Sequence, residues 1–102
     1  HQFTHIGGYV MIQGGSRTSQ DIPPYVIAGK EPIRFAGLNL VGLRRRGFSN
    51  ETITSIREAY NKIYSKGIIK EGIQEVKDTM DITEEIKYVI DFIENAQRGI
   101  IR

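Results

Sequence analysis

The spacing of apolar positions changes partway along the chain. From Ile6 to Pro23 three six-residue units follow one another: Ile6-Gly7-Gly8-Tyr9-Val10-Met11, Ile12-Gln13-Gly14-Gly15-Ser16-Arg17 and Thr18-Ser19-Gln20-Asp21-Ile22-Pro23. Each is led by an aliphatic or β-branched residue, with a small or β-branched residue four places on. Thr4 fits the second slot of an incomplete preceding unit. Hexapeptide periodicity of this kind marks a parallel β-helix. The leading side chain points into a narrow prism, the fifth shares that space, and glycines permit the tight corners. An ordinary β-meander with glycine turns is the competing reading. Three hexapeptides make about one coil, and a coil cannot bury its apolar face without stacked neighbours. The chain also opens on His1, inside the pattern. The expectation is therefore the C-terminal piece of something longer.

The periodicity ends at Asp21-Ile22-Pro23-Pro24-Tyr25-Val26-Ile27-Ala28-Gly29. Paired prolines remove two amide donors and force the preceding residue out of helix, which suits a chain leaving a β-ladder. Tyr25-Val26-Ile27 reads as one last short strand, with Gly29 and Pro32 turning the chain away. Beyond that, helical spacing takes over. Ser49 is a good N-cap before the stripe Ile53, Ile56, Tyr60, Ile63 and Tyr64, and Gly67 stops this helix. Ile69, Ile73, Val76 and Met80 form a second stripe that Gly72 weakens. Thr83 caps a third over Ile86, Val89, Ile90 and Ile93, with Phe92 at its margin, Glu84 and Glu85 in the first turn, and Gly99 as the stop. Ile100-Ile101-Arg102 is left as a short tail. The fold class is thus mixed α and β, with the end of a parallel β-helix over residues 1–36 and a small α-helical domain over 37–102. The helical stripes read as core rather than as a cofactor box.

Composition narrows the chemistry. The 102 residues amount to one domain or less. Lys plus Arg is 14 against 12 Asp plus Glu, a net charge of +2, which does not suit a general nucleic-acid binder. Without cysteine there is no disulfide scaffold or thiolate metal site, and two histidines make a poor zinc set. No metal and no cofactor is expected. No apolar run approaches membrane-spanning length and the start is no signal peptide, so a soluble intracellular protein is the default.

The densest positive charge lies in Gly42-Leu43-Arg44-Arg45-Arg46-Gly47-Phe48-Ser49, at the junction of the two parts. Guanidinium forks match phosphate oxygens two bonds at a time, so three arginines between glycines can hold a diphosphate. The bland reading of the same run is a solvated corner. His1 is the one residue an acid–base mechanism would reach for, but no carboxylate lies near it in sequence. Gly7-Gly8 and Gly14-Gly15 do not stand between a strand and a helix, as a phosphate loop requires, and read as corners. No complete nucleophilic or acid–base constellation is present.

Several of these stretches occur together in one order: His1-Gln2-Phe3, Gln20 to Ala28, Gly37-Leu38-Asn39, Gly42 to Ser49 and the terminal Arg98-Gly99-Ile100-Ile101-Arg102. In this the whole chain resembles the C-terminal part of the UDP-N-acetylglucosamine O-acyltransferases, which begin lipid A synthesis. The resemblance implies acyl transfer from a 3-hydroxyacyl-[acyl carrier protein] thioester to the sugar 3-hydroxyl. It also implies a cytoplasmic homotrimer of left-handed β-helices, with active sites between subunits and no membrane span. The family's general base is a histidine in an earlier coil, so no catalytic residue is expected in this chain. His1 matches a second active-site histidine that assists substrate binding, and Gln2 a residue that contacts the sugar nucleotide. Asn39, Arg45 and Arg46 match nucleotide-binding positions, with Arg45 the phosphate partner and Arg44 a solvated neighbour. Gly14 matches a position lining the acyl groove, where a glycine leaves room for a longer chain. Val41 stands where some relatives carry an acid, so one family hydrogen bond is missing. The helical part is expected to cap the β-helix, to add trimer contacts and to offer a basic surface to the carrier protein.

Three rivals remain at this level. One is a sister hexapeptide-repeat acyltransferase of another sugar, against which the Gly42–Ser49 junction argues. Another is a non-catalytic trimerisation or capping module. The third is a nucleic-acid-binding helical domain using Arg44 to Arg46, which the charge balance and the lack of an aromatic-basic surface disfavour.

Overall fold

The computed structural model describes residues 6–13, 20–29, 34–96 and 99–102. Its described part is a small mixed sheet followed by four helices: β1 (Met11–Ile12), β2 (Val26–Gly29), β3 (Arg34–Leu38), α1 (Leu40–Arg45), α2 (Asn50–Ser65), α3 (Ile69–Thr79) and α4 (Glu84–Glu94). β1 runs parallel to β2, and β3 closes the other side antiparallel, with a bulge between Val26 and Ala28.

The parallel pairings share one step. Ile6 lies beside Ile22, Met11 beside Ile27 and Ile12 beside Ala28, always sixteen positions on. Three full hexapeptides would instead set Ile6 against Pro24. A proline there has no N–H to give the ladder, whereas Ile22 accepts from Gly7 N at 2.7 Å. Pro24 fits where Gly7 has no side chain: a Cβ on Gly7 would lie within 2.8 Å of the proline ring. Tyr9 and Tyr25, again sixteen apart, both adopt left-handed backbone, with φ of 61° and 73°. Their rings stack at 5.4 Å. The two tyrosines are therefore the same corner, one step apart.

The helices form as their stripes demand. Ser49 Oγ accepts from Thr52 N and Thr83 Oγ1 from Ile86 N, so both expected N-caps are in place. Ile53, Ile56, Ala59, Tyr60 and Ile63 of α2 are buried against Ile73 and Val76 of α3 and Ile86, Val89, Ile90 and Ile93 of α4. The same core continues into Ile22, Tyr25, Val26, Ala28, Leu38 and Leu43. β3 crosses the expected junction at 36/37.

Further features differ from the sequence reading. The arginine run is not a bare corner, because Leu40–Arg45 is helical. A third strand, β3, pairs back onto β2. α4 ends at Glu94 with Asn95 as its C-cap, five residues before Gly99. The last residues are not a loose tail: Ile100 and Ile101 are buried, Ile101 N donates to Asp21 O, and Asp21 N donates to Gly99 O. Gly72, read as a weakness of α3, is where that helix meets the backbone of Ile63 in α2.

Candidate functional site

The site begins with Asn39, which ends β3 and starts α1. Its Oδ1 accepts from Gly42 N at 3.3 Å, capping the first turn. Its Nδ2 donates to Tyr9 O at 3.0 Å, and its backbone N–H to Tyr25 O at 2.8 Å. Both corner tyrosines are thus tied to one residue, which is 7% exposed. Gly42 is needed beside it, since a Cβ there would collide with the Asn39 amide. One amide hydrogen and one lone pair of Asn39 remain beyond these bonds.

α1 stops by a Schellman turn. Gly47 N donates to Arg44 O and Phe48 N to Leu43 O, with Gly47 in the left-handed region at φ 85°. Leu43 is fully buried and Phe48 half-buried in the core, and they pin the short helix from below. Arg44, Arg45 and Arg46 are all left exposed. Arg44 and Arg45 occupy the last turn, where the helix dipole favours cations. None of the three has an acidic partner among the described residues, whereas Lys62, Lys66, Lys77 and Lys87 in the later helices are matched by Glu75, Glu94 and Asp91. Val41 is exposed one helical turn before Arg45, on the same face. An acid at 41 would sit within reach of that guanidinium.

Arg46 is held differently. Its guanidinium carbon lies 5.7 Å from the centre of the Tyr9 ring. Tyr9 also packs edge-on against Phe48 at 5.0 Å, and Phe48 and Tyr88 pack edge-on against Tyr25. This aromatic cluster was not anticipated. The sixteen-residue spacing of the two tyrosines was its one available signal.

The structure places Arg45 in the last turn of α1, with Asn39 at its N-cap and Arg46 at its C-cap. His1, Gln2 and Gly14 lie outside the described residues. No cluster of metal-ligating side chains occurs among the described residues, and no described helix is long and apolar enough to cross a membrane. A groove between α2 and the α3–α4 turn, lined by Glu51, Glu58, Lys62 and Asp81 among others, is polar and includes none of the three arginines.

Comparison with known proteins gives this arrangement a context. Residues 21–101 match the family described as UDP N-acetylglucosamine O-acyltransferase, Domain 2. The acyl-[acyl-carrier-protein]–UDP-N-acetylglucosamine O-acyltransferase of Paraburkholderia phymatum is 41% identical over all of this chain, which spans 41% of that relative's length. The enzyme of the same name from Fusobacterium nucleatum is 44% identical over 87% of the chain and 35% of its own. Among solved structures, a UDP-N-acetylglucosamine acyltransferase from Bacteroides fragilis superposes with a TM-score of 0.95 at 55% identity, covering all of this chain and 40% of that one. LpxA from Acinetobacter baumannii superposes with a TM-score of 0.91 at 38% identity, over 100% of this chain and 40% of its own. With an Asn-capped arginine helix in the matched segment, spanning about two fifths of these relatives' length, the chain belongs to the UDP-N-acetylglucosamine O-acyltransferase family.

Proposed function

We propose that this chain is the C-terminal part of an acyltransferase that moves a 3-hydroxyacyl group from acyl carrier protein to the 3-hydroxyl of UDP-N-acetylglucosamine, in lipid A biosynthesis. The relatives' names specify acyl-[acyl carrier protein] and UDP-N-acetylglucosamine, which supports the substrate pair. In this reading the sugar oxygen attacks the thioester carbonyl, its proton passes to a histidine upstream of residue 1, and the carrier thiol leaves. The present segment supplies binding, not the base.

The observation that carries the reading is the exposed arginine helix capped by Asn39. A diphosphate needs cations that no carboxylate has already neutralised, and Arg44 to Arg46 meet that condition among the described residues. Arg45 takes phosphate oxygens as a two-pronged donor. Arg46 and the free amide positions of Asn39 contact the rest of the nucleotide. His1 and Gln2 approach the sugar, and Gly14 leaves length in the acyl groove. Residues 1–36 are the last coil and exit of a left-handed parallel β-helix, and 37–102 are the helical domain that closes its end. The parallel pairing of successive passes of the chain supports such a coil, although its sixteen-residue step is two short of three full hexapeptides. The full protein is a cytoplasmic homotrimer needing no cofactor, and neighbouring subunits complete the site.

The test is product formation by the full-length protein from UDP-N-acetylglucosamine and a 3-hydroxyacyl carrier protein, followed by mass spectrometry. The reading predicts a 3-O-acylated sugar nucleotide from the full chain and none from these 102 residues alone. No acylation, or acylation only of a different sugar nucleotide, would overturn it.

A further inference from the structure

Tyr9 combines three features that no packing need explains together. It is a non-glycine residue with φ of 61°, a conformation that persists only where the surroundings enforce it. The enforcement is visible. Gly8 N donates to the Tyr88 hydroxyl at 2.8 Å, Gly8 O accepts from Tyr25 N at 2.9 Å, and Tyr9 O accepts from the Asn39 amide at 3.0 Å. The result is a residue that is 41% exposed, its ring backed by Tyr25 and Phe48, with the Arg46 guanidinium 5.7 Å from the ring centre. The corner that carries the ring is thus fixed through backbone groups, two on Gly8 and one on Tyr9 itself.

We infer that Tyr9 is a positioning residue for nucleotide binding, a stacking platform that holds the Arg46 guanidinium ready for the sugar nucleotide. The inference rests on the proposed function and adds a residue to it. Contact with an aromatic ring uses the face of a guanidinium and leaves the N–H donors in its plane directed outward. Arg46 can therefore be held by Tyr9 and bind an anion at once. A side chain already ordered loses less rotamer freedom when the ligand arrives, so part of the cost of binding is met beforehand. Tyr9 also reaches Asn39 through its carbonyl, but that contact survives any change of side chain. Ring substitutions also disturb the packing on Tyr25 and Phe48, so the pairing of each with Arg46→Ala is what isolates the arginine contact.

The experiment is calorimetric titration of the full-length protein with UDP-N-acetylglucosamine, for Tyr9→Phe, Tyr9→Leu and Tyr9→Gln, each alone and combined with Arg46→Ala. An exposed cation–aromatic contact of ordinary strength corresponds to a two- to five-fold effect, about the range expected here. Tyr9→Leu and Tyr9→Gln weaken binding by that factor, and Tyr9→Phe restores it because the ring is kept. In the Arg46→Ala background the same changes have no further effect. Undiminished affinity in Tyr9→Leu and Tyr9→Gln, while Arg46→Ala alone weakens binding, overturns the inference and leaves the proposed function standing. An equal loss with and without Arg46 also overturns it, because the ring then acts by another route. Unchanged affinity in Arg46→Ala itself removes that arginine from the proposed site, and this inference with it.

Discussion

At Asn39 one side chain both closes the first turn of α1 and fastens the Tyr9 corner. Its two ends have opposite hydrogen-bonding characters, so substitutions separate the two tasks. Asn39→Asp keeps an oxygen for Gly42 N–H but turns a second oxygen toward the Tyr9 carbonyl. Asn39→Ala removes both contacts. Loss of an N-cap costs about 0.5–2 kcal/mol, and loss of a part-buried hydrogen bond about 0.5–1.5 kcal/mol. Denaturant melts should show Asn39→Ala destabilised by about 1–3 kcal/mol, with Asn39→Asp no better than alanine. An Asn39→Asp protein as stable as the parent would contradict the assigned amide orientation. Tyr60 makes a similar single contact: its hydroxyl donates to Pro24 O at 2.6 Å in a fully buried setting. Tyr60→Phe should cost about 1–3 kcal/mol by the same melts, because the proline carbonyl then loses its partner.

The elements differ in how plainly the sequence announced them. α2 and α4 carry long apolar stripes and hydroxyl caps, and both formed behind Ser49 and Thr83. α1 has six residues, an internal glycine and a single buried side chain, Leu43, so no period could declare it. Its existence depends on Asn39 in front and the Gly47 turn behind. β3 was hidden for another reason, since its partner β2 is set by tertiary pairing rather than by alternation in Arg34–Leu38. Likewise the burial of Ile100 and Ile101 depends on Asp21, some eighty residues earlier. Among the proposed binding residues, Asn39, Arg45 and Arg46 were named through the family resemblance, in Gly37-Leu38-Asn39 and Gly42–Ser49, whereas Tyr9 was not, because the role inferred for it needs its corner and α1 to meet. Gly72 shows how a local rule is overridden. Alanine is better than glycine in a helix by about 1 kcal/mol, yet a Cβ at 72 would press into the Ile63 backbone. Gly72→Ala should therefore destabilise by about 1–3 kcal/mol in a thermal or chemical melt, as overpacking does. A stabilised variant would show that α2 and α3 are not so closely opposed.

Across the whole molecule, tyrosines join the helices to the sheet side. Tyr60 reaches Pro24, Tyr88 reaches Gly8, and Tyr64 donates to Ile101 O at 2.7 Å. Burial holds the Tyr60 and Tyr64 hydroxyls above the ordinary tyrosine range, with the Arg102 charge pulling Tyr64 the other way. In the unfolded chain these groups titrate near about 10. Folding therefore keeps protons that the unfolded chain releases. Their contribution is complete below that pH and is lost as pH rises through it, by about 1.4 kcal/mol per unit for each tyrosine kept protonated. Denaturation midpoints between pH 9 and pH 11 on Tyr60→Phe and Tyr64→Phe should show a shallower alkaline loss than the parent; an unchanged slope would contradict the burial account.

The chain spans about two fifths of the length of the relatives it matches. The binding claim therefore belongs to the full-length protein, and it is most directly tested by calorimetry of UDP-N-acetylglucosamine with the parent and Arg45→Ala. The phosphate role predicts a loss of about 1.5–3 kcal/mol, the range for a hydrogen bond to a charged group. Unchanged affinity would contradict it, returning Arg45 to the role of a solvated charge at a helix end and leaving the nucleotide site to Asn39 and Arg46.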